Sequence, residues 1–292
     1  MMTKKRLLRP KIGGAVYILP NLLTTGNLFF GYFSIMKAIQ GNFYGAAISI
    51  LLAAIFDILD GRVARLTNGT SEFGVQYDSL CDLVSFGLAP SILIYLFALK
   101  DLGRLGLILC FILTACGALR LARFNVQSAL GKTDGDFTGL PIPMPACLLA
   151  CYIAFVVDIE ELRGAPWLVQ FIHDGMSETG FKTIFFMLSM PYLALMMVSN
   201  VVFRSHKKFS FRYVRPFKLL VILVILVGLM TYRPALTGFL FFFFYACSGP
   251  LEWVLGWKKP TDDDEIFPPY LGEEEIDEDG RVESATHQEE AP

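Results

Sequence analysis

Apolar residues in this chain gather into long runs separated by short polar pieces. Eight runs have the length of a membrane span: residues 15–38, 43–65, 79–99, 104–124, 143–161, 182–203, 217–232 and 234–250. A helix needs about 20 predominantly apolar residues to cross a bilayer core. None of the runs alternates polar and apolar positions as a barrel strand does, and lipid tolerates only helices or closed barrels. The pattern therefore predicts an all-α polytopic membrane helical bundle with about eight transmembrane helices. The last two runs are short, which leaves room for a tilted or partly re-entrant pair.

Composition strengthens the membrane reading and excludes an ordinary soluble domain: 54% of the 292 residues are hydrophobic, 26 of them Phe, and the mean hydropathy is +0.52. The formal charge of -2 carries little information, because it averages basic membrane-flanking segments with an acidic tail. With the N-terminus inside, the segments 1–14, 62–78, 120–140, 204–218 and 251–292 share one side and hold 19 of the 25 Lys and Arg. The positive-inside rule then places both termini in the cytoplasm. The basic N-terminus lacks a small-residue cleavage site, so a retained first span is expected. Three regions follow: a basic N-terminus (1–14), a transmembrane domain (15–250) and an acidic cytoplasmic tail (251–292), disordered over 260–292 by its composition. The loop 159–181 is long enough for a short interfacial helix with Trp167 and Phe171 on one side. Cys81, Cys110, Cys116, Cys147, Cys151 and Cys247 show no paired spacing and read as small core residues.

Against this apolar background, "DILDGRVARLTNGTSEFGVQYDSLCD" (57–82) places four carboxylates at the ends of two hydrophobic runs. On a helix, Asp57, Asp60, Gly61 and Ala64 share one face, and Asp78 and Asp82 lie one turn apart. The intervening polar stretch, with Asn68, Gly69 and Gly74, is expected to reverse the chain and bring the two faces together. One aspartate inside a span costs about 2.5–3.5 kcal/mol on insertion scales, so converging carboxylates demand compensation. Divalent cations supply it. Oxygen donors without His or Cys favour magnesium, manganese or calcium over zinc, and paired ions of this kind suit phosphoryl displacement. Small residues at 61, 64 and 74 leave room beside the backbone for a phosphate ligand.

The pattern Asp57-x-x-Asp60-Gly61-x-x-Ala64-Arg65, then eight residues, then Gly74-x-x-x-Asp78-x-x-x-Asp82 resembles the signature of the CDP-alcohol phosphotransferases, with every element present. The resemblance implies an integral membrane enzyme, built on a six-helix catalytic core, that moves a phosphatidyl-type group from a cytidine diphosphate donor to an alcohol and releases CMP. It implies that Asp57, Asp60 and Asp78 bind two divalent ions, magnesium or manganese, and that Asp82 is a shared ligand or general base. It also implies that Gly61, Ala64 and Gly74 line a cytidine pocket, that Arg65 lies near the nucleotide or fixes the loop, and that the protein is a homodimer.

Three further stretches bear on the acceptor. "LPNLLTTGNLFFGY" (19–32) puts Asn21, Thr24, Thr25 and Asn27 in the first span, where Asn21, Thr24 and Thr25 could bind a nucleotide or simply pack helices. "ACGALRLARFNV" (115–126) carries Arg120, Arg123 and Asn125, and the i, i+3 spacing sets both guanidinium groups near one side for a carboxylate or phosphate. A positive-inside anchor is the competing reading. "FTGLPIPMPA" (137–146) either shapes a pocket or starts a helix. Together these stretches resemble the branch that transfers from CDP-diacylglycerol to L-serine while the lipid chains stay in the membrane. Glycerol 3-phosphate or inositol phosphate would equally suit arginines. A cation channel or transporter is the alternative of a different class.

Overall fold

The computed structural model describes residues 15–67, 69, 71–129, 137–157, 166–203 and 231–254, together with 224, 228 and 229. The expected span 217–232 and the expected disordered tail therefore lie largely outside the described residues. The described chain is helical except for one two-residue antiparallel bridge. It contains α1 (Ala15–Ile39), α2 (Phe43–Leu66), α3 (Glu72–Leu102), α4 (Arg104–Ala129), α5 (Pro143–Val157), α6 (Trp167–Ser177), α7 (Thr179–Val198) and α8 (Pro234–Val254). The bridge pairs Phe137 with Phe203 and Thr138 with Val202.

Five of these helices, α2, α3, α4, α7 and α8, are long and apolar enough to cross a membrane. Their outer faces carry large apolar side chains such as Ile58, Phe111, Leu188 and Phe244, as lipid-facing surfaces do. Two expected spans depart from that standard. The 25-residue α1 is long enough, but Asn21, Thr24, Thr25 and Asn27 make it polar on the side turned to its neighbours. The 15-residue α5 is about 22 Å long at 1.5 Å per residue, short of a bilayer core. All residues of α5 from Pro145 to Val156 are buried, so it is the central helix of the bundle, and its apolar character serves the core.

Local sequence explains the main junctions. Gly41, at φ 78°, turns the chain between α1 and α2, and Asn42 Oδ1 caps α2 by accepting from Gly45 N at 2.8 Å. The stripe Ala46, Ala47, Ile50, Ala53 and Ala54 is buried along α2, because small residues let neighbouring helices approach. Beyond the end of α2, Ser71 Oγ caps α3 by accepting from Gly74 N at 3.0 Å.

That cap corrects one expectation: Gly74 lies in the first turn of α3 and not in the connecting loop. The third span likewise begins at residue 72, ahead of the expected 79, because the polar segment up to Asp82 packs against α1 and α4. Beyond Asp82, α3 widens into a π-helical segment, Leu83–Leu88, and again at Tyr95–Leu99. Pro90 follows directly on the first widened turn, where a regular helix would set its ring against the carbonyl of Phe86. Ser85, inside that turn, donates to Asn27 O at 3.0 Å. Here α1 and α3 touch so closely that a Cβ at Gly31 would overlap Ser85 Oγ and come within 2.7 Å of Ser85 Cα.

The segment expected to hold a short interfacial helix contains α6, with Trp167 and Phe171 exposed. Its His173 turns inward, with Nε2 3.1 Å from Val156 O. The six cysteines are free thiols, four buried and two half-buried.

Candidate active site

Five elements meet at one end of the bundle: the first half of α1, the last turns of α2, the first turns of α3, the last turns of α4 and the start of α5. Antiparallel connection of successive helices places these termini together. The polar residues of the sequence motifs all fall in this region.

One carboxylate oxygen from each of Asp57, Asp60 and Asp78 lies within 4.8 Å of the others. Asp60 is 4% exposed, and Asp60 Oδ2 and Asp78 Oδ1 are buried with no hydrogen-bond partner. Three clustered carboxylates with orphaned buried oxygens repel one another unless a cation joins them. The hard oxygen donors suit a divalent cation of the magnesium class, so the residues present fit the group that the motif implies.

The fourth carboxylate lies beside this cluster, outside the group of three oxygens within 4.8 Å of one another. Asp82, 7% exposed, accepts a hydrogen bond from Asn27 Nδ2 at 2.9 Å and faces a cleft of about 150 Å³. Asp78, Ser79, Arg120, Asn125 and Pro141 also line that cleft. Asp78 therefore belongs to both the carboxylate cluster and the cleft. Asn27 was part of the polar cluster read in α1 but was not singled out as a site residue. The signal was present, since a buried amide in an apolar helix needs a partner.

The remaining motif residues divide by position. On α1, Thr24 is buried, returns its hydroxyl to Pro20 O at 3.1 Å and lies against Asp60. Thr25 bonds Asn21 O at 2.8 Å and the Tyr77 hydroxyl at 3.0 Å, which ties α1 to α3. A Cβ on Gly74 would meet Asn21 Oδ1 at 3.4 Å and Ser71 Oγ at 3.1 Å, so this glycine serves the α1–α3 contact. Gly61 differs, because among the described residues a Cβ there would meet nothing nearer than Arg65 Nη2 at 3.9 Å. Packing among the described residues does not explain Gly61. Ala64 is half-buried and Arg65 exposed on the same stretch of α2.

The two arginines of α4 differ in the partners they meet. Arg120 is 9% exposed, lines the cleft, and its Nε has no hydrogen-bond partner. Arg123 instead donates from Nη1 to Val198 O at 3.4 Å. Val198 is the last residue of α7, where helix carbonyls lack intrahelical donors and attract a cation. Asn125 lines the cleft with Arg120 and bonds Ser79 and Gln76 on α3.

The proline-rich segment both shapes the pocket and starts a helix. Gly139, at φ 77° with a Cβ position 2.5 Å from Met197 O, allows the chain to press against the end of α7. Gly139 N and Leu140 N donate to Val201 O and Met196 O at 2.9 and 3.0 Å. Pro141, Ile142 and Pro143 then form one wall of the cleft as α5 begins.

Similarity to known proteins agrees with this geometry. The chain is 32% identical over 239 residues to a CDP-diacylglycerol–serine O-phosphatidyltransferase of Helicobacter pylori, covering 82% of this chain and 92% of that one. A Bacillus subtilis protein of the same name is 36% identical over 131 residues, 45% of this chain and 72% of that one. An archaetidylserine synthase of Methanothermobacter thermautotrophicus is 45% identical over 136 residues, 46% of this chain and 57% of that one. Residues 17–174 match the family described as CDP-alcohol phosphatidyltransferase. That match spans the carboxylate cluster, the cleft residues of α3, α4 and α5, and the helices that hold them, and the chain belongs to the CDP-alcohol phosphatidyltransferase family.

Proposed function

We propose that this multi-pass membrane protein transfers the phosphatidyl group of CDP-diacylglycerol to the hydroxyl of L-serine, giving phosphatidylserine and CMP. The observation that carries the reading is the shared position of Asp78, which joins a carboxylate cluster suited to cations and a diphosphate to a small cleft holding Asp82 and a buried arginine. The relatives named for serine transfer support the choice of acceptor.

Members of this family generally depend on divalent metal. Asp57, Asp60 and Asp78, with Asp82 as a shared ligand, would hold two magnesium or manganese ions that offset the charge of the donor diphosphate. Gly61 and Ala64 leave space for the nucleotide beside α2, Asn21, Thr24 and Thr25 border it from α1, and Arg65 guards its outer edge. Gly74 keeps α1 and α3 close. In the cleft, Arg120 binds the serine carboxylate, and its buried, unpartnered Nε makes that pairing strong. Arg123 supports the site indirectly by fastening the end of α7.

Asp82, held by Asn27, takes the proton from the serine hydroxyl as its oxygen attacks the diacylglycerol-bearing phosphorus. The new P–O bond forms as the bond to CMP breaks. The acyl chains stay in lipid throughout.

The protein sits in the inner membrane, and the charge asymmetry along the sequence supports an orientation with both termini and the active site in the cytoplasm. The catalytic unit is residues 15–250, and the protein works as a homodimer, which sizing in detergent tests against the mass of one chain. Truncation after Lys259 leaves transfer intact, and a correctly inserted truncation without turnover would assign the tail a catalytic role.

Gly61→Ala separates ligand space from packing. The surroundings admit a methyl group, so thermal stability does not fall and gains up to about 1 kcal/mol from helix propensity, whereas overlap with the donor costs about 1–3 kcal/mol and raises its KM about tenfold. A stability loss with normal KM would make Gly61 a packing residue.

The function itself is tested by giving the purified protein CDP-diacylglycerol, a divalent metal and one alcohol at a time. Serine is the expected acceptor. Preferred transfer to glycerol 3-phosphate or inositol phosphate would move the chain to another branch.

A further inference from the structure

Asn125 is held by two side chains of α3 that the proposed reaction does not use. Asn125 Nδ2 donates to Ser79 Oγ at 3.0 Å and to Gln76 Oε1 at 3.2 Å. In this arrangement both amide protons are committed, with Gln76 presenting its Oε1 and Ser79 its Oγ to Asn125 Nδ2. Ser79 has one hydroxyl proton, for which its own helix carbonyl, Val75 O, at 3.1 Å competes with Asn125 Oδ1 at 3.2 Å. A carbonyl oxygen has two lone pairs, so Oδ1 keeps accepting capacity whichever way that proton points. Asn125 lines the same cleft as Arg120 and Asp82. That cleft offers a fixed cation at Arg120 and a fixed neutral acceptor at Asn125, two groups that complement the two charged ends of a free amino acid.

We propose that Gln76 and Ser79 position Asn125 so that its Oδ1 receives the ammonium group of the acceptor, while Arg120 takes the carboxylate. This deepens the serine reading and rests on it. A bare hydroxyl or a phosphate monoester would leave the oriented carbonyl without a donor. The cleft therefore selects a zwitterionic alcohol by an interaction that is separate from the carboxylate grip. Gln76 and Ser79 are positioning residues, acting through Asn125.

The test compares three acceptors: serine, 3-hydroxypropionate, which lacks the ammonium, and ethanolamine, which lacks the carboxylate. A site built to hydrogen-bond a substrate group rejects the analogue lacking it strongly, so the unaltered protein prefers serine over 3-hydroxypropionate by about 10²-fold or more in kcat/KM. Asn125→Leu and Gln76→Leu each lower that preference at least about tenfold, through the KM for serine. Gln76→Glu, which still accepts from Nδ2, retains it. The preference for serine over ethanolamine, set by Arg120, stays constant in Gln76→Leu, which distinguishes positioning from general loosening of the site. Gln76 is exposed, so its replacement reads the effect even where Asn125→Leu disturbs insertion. Normal serine transfer with an unchanged preference over 3-hydroxypropionate in Gln76→Leu would overturn the role of this network. Failure of the unaltered protein to use serine at all would instead overturn the acceptor assignment beneath it.

Discussion

Replacing Asp78 by Asn is expected to lower phosphatidyl transfer by about 10³-fold or more, because Lewis-acid stabilisation contributes several kcal/mol to the transition state and each 1.36 kcal/mol is tenfold in rate. Asp78 is the most sensitive position because it serves both the carboxylate cluster and the cleft. Its removal weakens cation binding and alters the wall against which the acceptor sits. The same substitution acts oppositely on stability without metal. Three carboxylate oxygens within 4.8 Å repel one another, and making one neutral relieves that repulsion. Thermal unfolding in detergent reads both effects: added magnesium stabilises the unaltered protein by mass action, and Asp78→Asn loses most of that response while melting no earlier in chelator. A variant that keeps full activity and full metal stabilisation would remove Asp78 from the site.

Asp82→Asn has the second largest effect. The substitution preserves shape, and the neighbouring Asn27 amide, now 2.9 Å from Asp82 Oδ1, can still donate to the new side-chain carbonyl. The fold is therefore retained. What disappears is the charge and the ability to accept a proton from the acceptor hydroxyl, a contribution of about 10²–10⁴-fold for general base catalysis. Turnover falls by that factor while CDP-diacylglycerol still raises the melting temperature. A fully active Asp82→Asn protein would contradict the assigned role, and a variant that no longer binds donor would make Asp82 chiefly a metal ligand.

The chemistry of this protein was more legible in its sequence than its packing was. Four aspartates at helical spacing in an apolar chain are a local signal, since their cost in a membrane is set by composition and their facing by periodicity alone. Long-range facts were hidden. Arg120 and Arg123 sit three residues apart on one helix, yet only the tertiary position of Val198 gives the second a carbonyl partner at the end of α7. Gly74 reads as a turn residue by its polar surroundings, whereas the cap at Ser71 places it in the first turn of α3.

The central position of α5 was illegible for a similar reason, because a buried helix and a short lipid-facing one share the same apolar composition. The widened turn after Asp82 carries no sequence signature beyond Pro90, and it holds Ser85, which bonds Asn27 O on α1. Asn27 was visible as a polar residue in oil, but its partner lay 55 positions away.

The account is tested most directly by purified protein in detergent with CDP-diacylglycerol, labelled serine and magnesium, following CMP and labelled lipid together. It predicts equal amounts of CMP and phosphatidylserine, with both stopped by chelation and restored by magnesium or manganese. CMP release that does not depend on serine, or lipid labelling that persists in chelator, would contradict it.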